Sequence, residues 1–228
     1  MGGHEFRNFE TLSFDCYGTL IDWETGIRTA LTGWAMRNAV ALDEVIERFG
    51  ALESQVQKEM PSRRYPDVLA EVLRRMGRTT DEEAERFGAS VGDWPSFSDS
   101  TAVLQKLKQR YKLAILSNVD RASFARSNAL LGVEFDLVVT AEDVGSYKPD
   151  PRNFQALFER LALSDRATLL HVAQSLYHDH EPALALGLQT VWINRASGGA
   201  TPPPSTSVQP TWTFPSLAAF AQAVFEDG

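Results

Sequence analysis

The sequence is short of cysteine, of basic residues and of long apolar runs. Cys16 is the only cysteine among 228 residues, so no internal disulfide can form, and a reducing cytoplasm is the expected location. Lysine and arginine number 22 against 30 acidic residues, and the net charge of -8 argues against nucleic acid or an anionic membrane as a partner. No apolar run is long enough to cross a bilayer. With 43% hydrophobic residues, the chain can nevertheless bury a sizeable core.

The hydrophobic pattern changes along the chain and predicts an α/β fold. A short apolar strand at 11–14 is followed by a helical periodicity that persists to about residue 91. After Pro95, helices alternate with strands, which is typical of a parallel sheet with right-handed crossovers. The later strands are predicted at 113–116, 137–140, 168–172 and 190–193, with a short edge strand at 212–214. We therefore predict a Rossmann-like core over residues 1–20 and 96–228, with an all-helical cap inserted at 21–95.

The most informative segment is Asp15-Cys16-Tyr17-Gly18-Thr19-Leu20, which directly follows the first strand. Open α/β sheets bind ligands at the carboxyl ends of their strands, and Asp15 would lie there. An ionised carboxylate at this position can act as a nucleophile that carries a covalent intermediate. The alternative is an aspartate that only caps a turn. Cys16 is expected to pack in the core rather than to react.

Polar residues also follow the second strand and precede a later helix. Ser117 and Asn118 end the second strand, where a hydroxyl and an amide can bind an oxyanion or a substrate carboxylate. Lys148 lies in the segment Ser146-Tyr147-Lys148-Pro149-Asp150-Pro151, whose two prolines restrict the backbone. Its ammonium can keep Asp15 ionised, because a nearby opposite charge lowers the pKa of a carboxyl group.

A fourth polar segment follows the fourth strand. It runs from His171 to Asp179 and carries Gln174 and Ser175 near the strand end. His178 and a second histidine at position 180 flank Asp179, but side chains two apart on a helix cannot face the same way. We therefore interpret the histidines as a polar helix start rather than as a metal-binding pair.

In this order, the four segments resemble motifs one to four of the haloacid dehalogenase superfamily. Phosphatases of that superfamily usually carry acids where this chain has Tyr17 and Gln174. A phosphatase needs the first of these acids to protonate a departing alkoxide, whereas a halide leaves without a proton. The departures therefore resemble the 2-haloacid dehalogenase branch and indicate displacement at carbon. Since Mg²⁺ prefers several oxygen ligands, we expect no metal and no cofactor, with Mg²⁺ needed only if the chain is a phosphatase.

The resemblance implies a role for each motif residue. Asp15 would attack the carbon beside the carboxylate of a small substrate, and water would then hydrolyse the aspartyl ester. The implied catalytic residues are Asp15, Lys148 and Asp179, and the implied substrate-binding residues are Tyr17, Thr19, Ser117, Asn118 and Ser175. Dehalogenases of this branch also use a cap arginine. The candidates are Arg28, Arg37, Arg63 and Arg64, with Gln55, Gln57 and Tyr65 as further cap residues.

A second resemblance concerns azetidine-2-carboxylate hydrolase, a relative that displaces a ring nitrogen from the carbon beside a carboxylate. The similar segments lie at 22–27, 92–95, 132–136 and 175–180. Three alternatives to a haloacid dehalogenase therefore stay open: this ring-opening hydrolase, a Mg²⁺-dependent small-molecule phosphatase, and a non-catalytic binding protein. A homodimer is an open expectation for the assembly.

Overall fold

A parallel sheet forms the centre of the computed structural model, which describes residues 5–195 and 208–226. Its strands are β1 Thr11–Phe14, β2 Lys112–Ser117, β3 Leu137–Thr140, β4 Leu169–Ala173, β5 Gln189–Ile193 and β6 Trp212–Phe214. Their order across the six-stranded sheet is β3-β2-β1-β4-β5-β6. The predicted α/β class is therefore confirmed, and each predicted strand is present with its ends moved by at most a few residues.

The first strand lies in the middle of the sheet, and its position brings the motif segments together. All four of its residues are buried, as expected for a parallel strand covered on both faces. Phe14 is in register with Ile115 of β2 and with Val172 of β4. Because these strands run parallel, the segments that follow them emerge side by side at one edge of the sheet.

Ten α-helices accompany the sheet in the described part of the chain. They are α1 Trp23–Asn38, α2 Leu42–Glu59, α3 Tyr65–Met76, α4 Asp81–Ala89, α5 Ser100–Leu107, α6 Arg121–Leu131, α7 Ala141–Val144, α8 Arg152–Leu161, α9 Glu181–Ala185 and α10 Leu217–Phe225. The first four lie between β1 and β2 in the chain, as predicted for a helical cap. The domain boundaries at 20/21 and 95/96 stay predictions.

Local sequence signals explain where several of these helices begin. Asp22 accepts a hydrogen bond from the Thr25 backbone at the start of α1, and Thr80 forms a capping box with Glu83 at the start of α4. Gly26 has a different role, because a Cβ atom there would lie 2.2 Å from Cγ of Trp94. The missing side chain lets α1 pack directly against the segment that returns the chain to the sheet.

The largest departure from the predicted elements follows β4. One helix is predicted over 179–186, but the chain forms a π-helical turn at Leu176–His180 and then the short α9. Ser175 caps this turn by accepting a hydrogen bond from the His178 backbone. The predicted loop at 196–210 lies mostly outside the described residues. Within the described residues, no helix is long and apolar enough to cross a membrane.

Candidate active site

The ammonium of Lys148 lies at the centre of the candidate site and bridges two carboxylates. Nζ donates to Oδ1 of Asp15 at 2.9 Å, to Oδ1 of Asp179 at 2.6 Å and to the carbonyl of Leu116 at 2.8 Å. The lysine side chain is only 1% exposed, so its charge depends on these partners rather than on water. All three donors of the ammonium are satisfied, which holds both carboxylates in defined positions.

The two carboxylates titrate differently although they share one ammonium. Burial raises the pKa of Asp15, and the attraction of Lys148 does not fully offset it. Burial also acts on Asp179, but Lys148 and the hydrogen bond from His171 hold the pKa of Asp179 well below its ordinary value. Burial opposes the charge of Lys148, yet the two carboxylates raise the pKa of its ammonium. When Asp15 is in its carboxylate form, the three groups carry one surplus negative charge.

Thr19 holds the second oxygen of Asp15 and links two loops. Its hydroxyl donates to Oδ2 of Asp15 at 2.9 Å and accepts from the backbone N–H of Gln174 at 3.0 Å. The turn that makes this contact passes through Gly18, whose φ of +97° favours glycine. Arg195 donates to the carbonyl of Thr19 at 3.0 Å. The threonine hydroxyl is thus engaged by the protein and sets the orientation of the nucleophile candidate.

Asn118 and Ser117 have different environments although they are adjacent. The amide of Asn118 accepts from the backbone N–H of Lys148 at 2.7 Å and donates to the carbonyl of the same residue at 3.1 Å. It therefore positions the lysine. The buried hydroxyl of Ser117 has no hydrogen-bond partner within the described residues. Ser117 offers its hydroxyl, and Asn118 keeps one amide N–H that no described residue accepts, so both can donate to a ligand.

His171 extends the network to the far side of Asp179. Its Nε2 lies 3.0 Å from Oδ1 of Asp179, and its Nδ1 lies 2.9 Å from the hydroxyl oxygen of Ser13 on the neighbouring strand. Since Asp179 is ionised, its Oδ1 accepts a hydrogen bond from Nε2. No motif in the sequence predicts a role for His171. The available signal was a histidine in the middle of the apolar strand Leu169–Ala173.

These groups open into a cavity of about 140 Å³. One wall is the sheet edge, with Asp15, Tyr17, Ser117, Asn118, Lys148, Gln174, Ser175, His178 and Asp179. The other wall comes from the helical insertion, with Trp23, Phe49, Gly50, Glu53, Ser54, Gln57 and Tyr65. Every predicted site residue except Thr19 lines this cavity. The tyrosine at position 17 turns its hydroxyl outward to Oγ of Ser127, at 2.8 Å, and presents its ring to the space.

The model of one protein family, described as haloacid dehalogenase-like hydrolase, matches residues 9–172. The chain belongs to this family of hydrolases.

Two curated relatives and one solved structure illustrate the family membership. (S)-2-Haloacid dehalogenase 4A of Burkholderia cepacia is 30% identical over 198 residues, which cover 80% of this chain and 81% of the relative. (S)-2-Haloacid dehalogenase H-109 of Pseudomonas putida is 26% identical over 215 residues, covering 85% and 91%. L-2-Haloacid dehalogenase of Xanthobacter autotrophicus, solved with chloropropionic acid covalently bound, has a TM-score of 0.79 at 18% identity, covering 95% and 98%. The structural similarity shows the shared fold.

The residues of this site do not provide the oxygen ligands that a Mg²⁺ ion needs. Mg²⁺ prefers octahedral coordination by carboxylates and other oxygens at short distances. Here Lys148 already binds both carboxylates, and positions 17 and 174 carry an aromatic ring and a neutral amide. Within the described residues, no group of three or more histidine, cysteine or acidic side chains is arranged to hold a metal. The donor set therefore does not fit Mg²⁺.

Cys16 and His180 are buried, and His178 is half-buried at the cavity wall. Burial raises the pKa of the Cys16 thiol well above its ordinary value, which agrees with a packing role. Burial lowers the pKa of His178 and of His180 to about 4. His178 faces the cavity, whereas His180 is buried and donates from Nε2 to the carbonyl of Ala173 at 3.0 Å. The second histidine thus belongs to the core rather than to a polar helix start.

The cap arginines expected from the dehalogenase branch do not line the cavity. Arg28 pairs with Glu24 and Asp43, Arg37 with Glu83, and Arg64 with Asp67, while Arg63 is exposed. Gln55 is also exposed and donates to Glu59. Among the further cap candidates, Gln57 and Tyr65 do face the cavity. Within the described residues, Lys148 is the only lysine or arginine that lines it.

Glu53 is a cavity residue that the sequence analysis did not predict. The hydroxyl of Tyr65 donates to its Oε1 at 2.5 Å, and the amide of Gln57 donates to the same oxygen at 3.1 Å. Burial raises the pKa of Glu53 to about 7. The available signal was the helical spacing of Phe49, Glu53 and Gln57, which places the three side chains on one face of α2.

Proposed function

We propose that this hydrolase displaces a leaving group from a saturated carbon beside a carboxylate, with Asp15 as the nucleophile and an aspartyl ester as the intermediate. The observation that carries the proposal is the fixed carboxylate of Asp15, held by Lys148 on one oxygen and by Thr19 on the other at the wall of a small cavity. The relatives named (S)-2-haloacid dehalogenase support 2-haloacids as the substrate class.

The first step forms the ester. An oxygen of Asp15 attacks the carbon in line with the leaving group, which departs with the bonding electron pair. Before attack, Asp15, Lys148 and Asp179 together carry one surplus negative charge. The ester is neutral, so the remaining ion pair of Lys148 and Asp179 is balanced. The buried network therefore favours esterification electrostatically, and a halide needs no proton in order to leave.

The second step hydrolyses the ester at the carbonyl of Asp15. Each oxygen of Asp15 has its own donor, so the ester carbonyl keeps a hydrogen bond whichever oxygen has attacked. That donor stabilises the oxyanion that forms when water adds. Oδ2 of Asp179 is buried and has no hydrogen-bond partner within the described residues, which suits it to orient the water. One proton of the water passes to the alkoxide oxygen of the departing 2-hydroxy acid, and the other is released as Asp15 returns to its carboxylate form.

The substrate carboxylate needs donors that the protein does not already use. Ser117 offers its buried hydroxyl, and Ser175 lies at the same wall of the cavity. Asn118 uses one amide hydrogen on the backbone carbonyl of Lys148 and keeps its second N–H for the substrate carboxylate. The ring of Tyr17 lies where a phosphatase would carry its second acid, and it forms an apolar surface beside the leaving group.

A single turnover in H₂¹⁸O tests the covalent route. We expect solvent ¹⁸O in the peptide that contains Asp15 and an unlabelled product, because water attacks the ester carbonyl rather than the substrate carbon. The variant Asp15→Asn should form no product. Label in the product with none in Asp15 would contradict the proposal and would indicate direct attack by water.

A substrate screen with and without Mg²⁺ separates the alternative functions. The substrates are 2-chloropropionate, azetidine-2-carboxylate and an aryl phosphate, each with EDTA and with added Mg²⁺. Turnover of a carbon-centred substrate that is unaffected by EDTA supports the proposal, and phosphate release that requires Mg²⁺ contradicts it. Opening of the azetidine ring without halide release from 2-chloropropionate would indicate a ring-opening hydrolase, an alternative that the relatives do not support. Binding without turnover of any of them would indicate a binding protein.

A further inference from the structure

The charge on the cavity wall does not match a substrate that carries only negative charge. Three carboxyl groups line the cavity, from Asp15, Glu53 and Asp179. Lys148 is the only lysine or arginine among the described lining residues, and its three donors are already used. His178 is neutral near pH 7, since burial lowers its pKa to about 4. When the three carboxyl groups are ionised, the cavity has surplus negative charge, and its described lining residues offer no free cationic side chain to a substrate carboxylate.

Glu53 has one oxygen that is not used by the protein. Both of its hydrogen bonds, from Tyr65 and Gln57, go to Oε1. Oε2 accepts no hydrogen bond within the described residues, and the residue is half-buried at the cavity wall. A half-buried carboxylate with a free oxygen lacks a cationic partner that would offset its desolvation. A cation in the cavity would supply that partner.

Aromatic rings form the surface around this carboxyl group. Trp23 and Phe49 stack with centroids 6.2 Å apart, and Tyr17 lies 6.4 Å from Tyr65. All four residues line the cavity. Phe49 precedes Glu53 by one helical turn, so the two side chains share a face of α2. Aromatic faces attract ammonium groups, and a carboxylate beside them adds the attraction of an opposite charge.

We propose that Glu53 and the surrounding rings form an ammonium-binding subsite, and that the substrate is a small amino acid with a protonated nitrogen toward the cap and its reacting carbon toward Asp15. The inference rests on the proposed function, in which the reacting carbon faces Asp15. It adds the substrate class, a zwitterion in place of a simple carboxylate. The small cavity, about 140 Å³, restricts such a substrate to few heavy atoms.

Titration calorimetry with matched pairs of unreactive ligands tests the subsite without turnover. The pairs are propionate with 3-aminopropionate and butyrate with 4-aminobutyrate, which differ in one ammonium group at two distances from the carboxylate. At about pH 8, where Glu53 is mostly ionised, at least one amine should bind wild-type protein about tenfold more tightly than its parent acid.

Substitutions on α2 assign that preference to Glu53. Glu53→Gln should remove it, and Glu53→Asp, which keeps the charge, should retain part of it. Glu47→Gln is the matched control, because it removes one negative charge from an exposed position on the same helix and should leave the preference intact. Thermal melting followed by circular dichroism checks that each variant is folded.

Two results would overturn the inference. One is wild-type protein that binds neither amine more tightly than its parent acid, which includes no measurable binding at all. The other is a preference that survives unchanged in Glu53→Gln. Because these measurements need no chemistry, they are independent of the ¹⁸O test. Labelled Asp15 without amine preference rejects the subsite alone, and amine preference without label rejects the covalent route alone.

Discussion

The two walls of the cavity use their polar groups in opposite ways. At the sheet edge, Lys148 uses three donors and each oxygen of Asp15 accepts one, while Oδ2 of Asp179 has no partner within the described residues. At the cap, Glu53 keeps one oxygen free among aromatic rings. The difference indicates that the reaction centre is rigid and preorganised, whereas the cap wall is left to interact with the substrate.

Removing the cation at the centre should cause the largest effect. In Lys148→Met, two buried carboxylates lose their shared partner, and breaking a buried ion pair in this way costs about 3–5 kcal/mol. Activity should fall at least about a thousandfold because the charge network around the nucleophile is lost. Urea unfolding and the steady-state rate measure the two effects. Lys112→Met, at an exposed position at the start of β2, should change neither.

The stability loss in Lys148→Met should depend on pH in a defined direction. Without the ammonium, the pKa values of both carboxyl groups rise, so the groups become neutral as the pH falls. In wild type, the pKa of Asp179 is lower in the folded than in the unfolded protein. Its ionisation therefore adds to the free energy of unfolding above the pKa of the unfolded state, and this contribution is lost as the pH falls below that value. The deficit of the variant should therefore be largest near neutrality and smaller at about pH 5. A deficit that grows in acid would contradict the ion-pair network described here.

His171 should contribute a smaller effect to the same wall. In His171→Leu, Asp179 loses a hydrogen bond to its charged form, which is worth about 1.5–3 kcal/mol. We expect kcat to fall about tenfold to a hundredfold with KM little changed, since the histidine acts through Asp179 and does not line the cavity. His171→Gln, which can restore a donor, should recover part of the rate. Equal losses in both variants would indicate a packing role only.

The sequence predicted the sheet edge well because its signals are local. Asp15 and Asn118 directly follow strands that the apolar pattern identifies, and the segments of Lys148 and Asp179 come after two further strands. Parallel strands bring their carboxyl ends together without further information. Asp15, Lys148 and Asp179 meet for this reason. The hydrogen bond between Asn118 and Lys148 could not be predicted, because it depends on the path of the loop after α7.

The cap wall was predicted poorly because its contacts depend on how four helices pack. Periodicity shows which face of α2 is apolar, but it does not show whether Glu53 faces solvent or a cavity. The arginines were equally good candidates in sequence, and the structure pairs three of them with acids elsewhere. His180 illustrates the same difficulty, since a polar residue type gave no sign that it would be buried.

The acid limb of the pH profile should report the ionisation of Asp15. Burial raises its pKa above the ordinary value, while Asp179 stays ionised to lower pH. Since only the carboxylate form attacks, kcat/KM should decline about tenfold per pH unit below the pKa of Asp15. The profile is measured with the best substrate from the screen, under conditions where the protein stays folded. Activity that persists below the ordinary carboxyl range would contradict a buried nucleophile with a raised pKa.

The smallest effect is expected from the arginines that the dehalogenase branch would place at the cap. Arg28 and Arg64 form surface ion pairs away from the cavity, and such pairs contribute about 0–1 kcal/mol to stability. Arg28→Gln and Arg64→Gln should therefore leave kcat and KM within about twofold of wild type. A tenfold rise in KM for either variant would mean that the cap reorients to bring an arginine to the substrate. That result would contradict the ammonium-binding role of the cap wall, because the cap would then supply a cation to the substrate rather than bind the cation of the substrate.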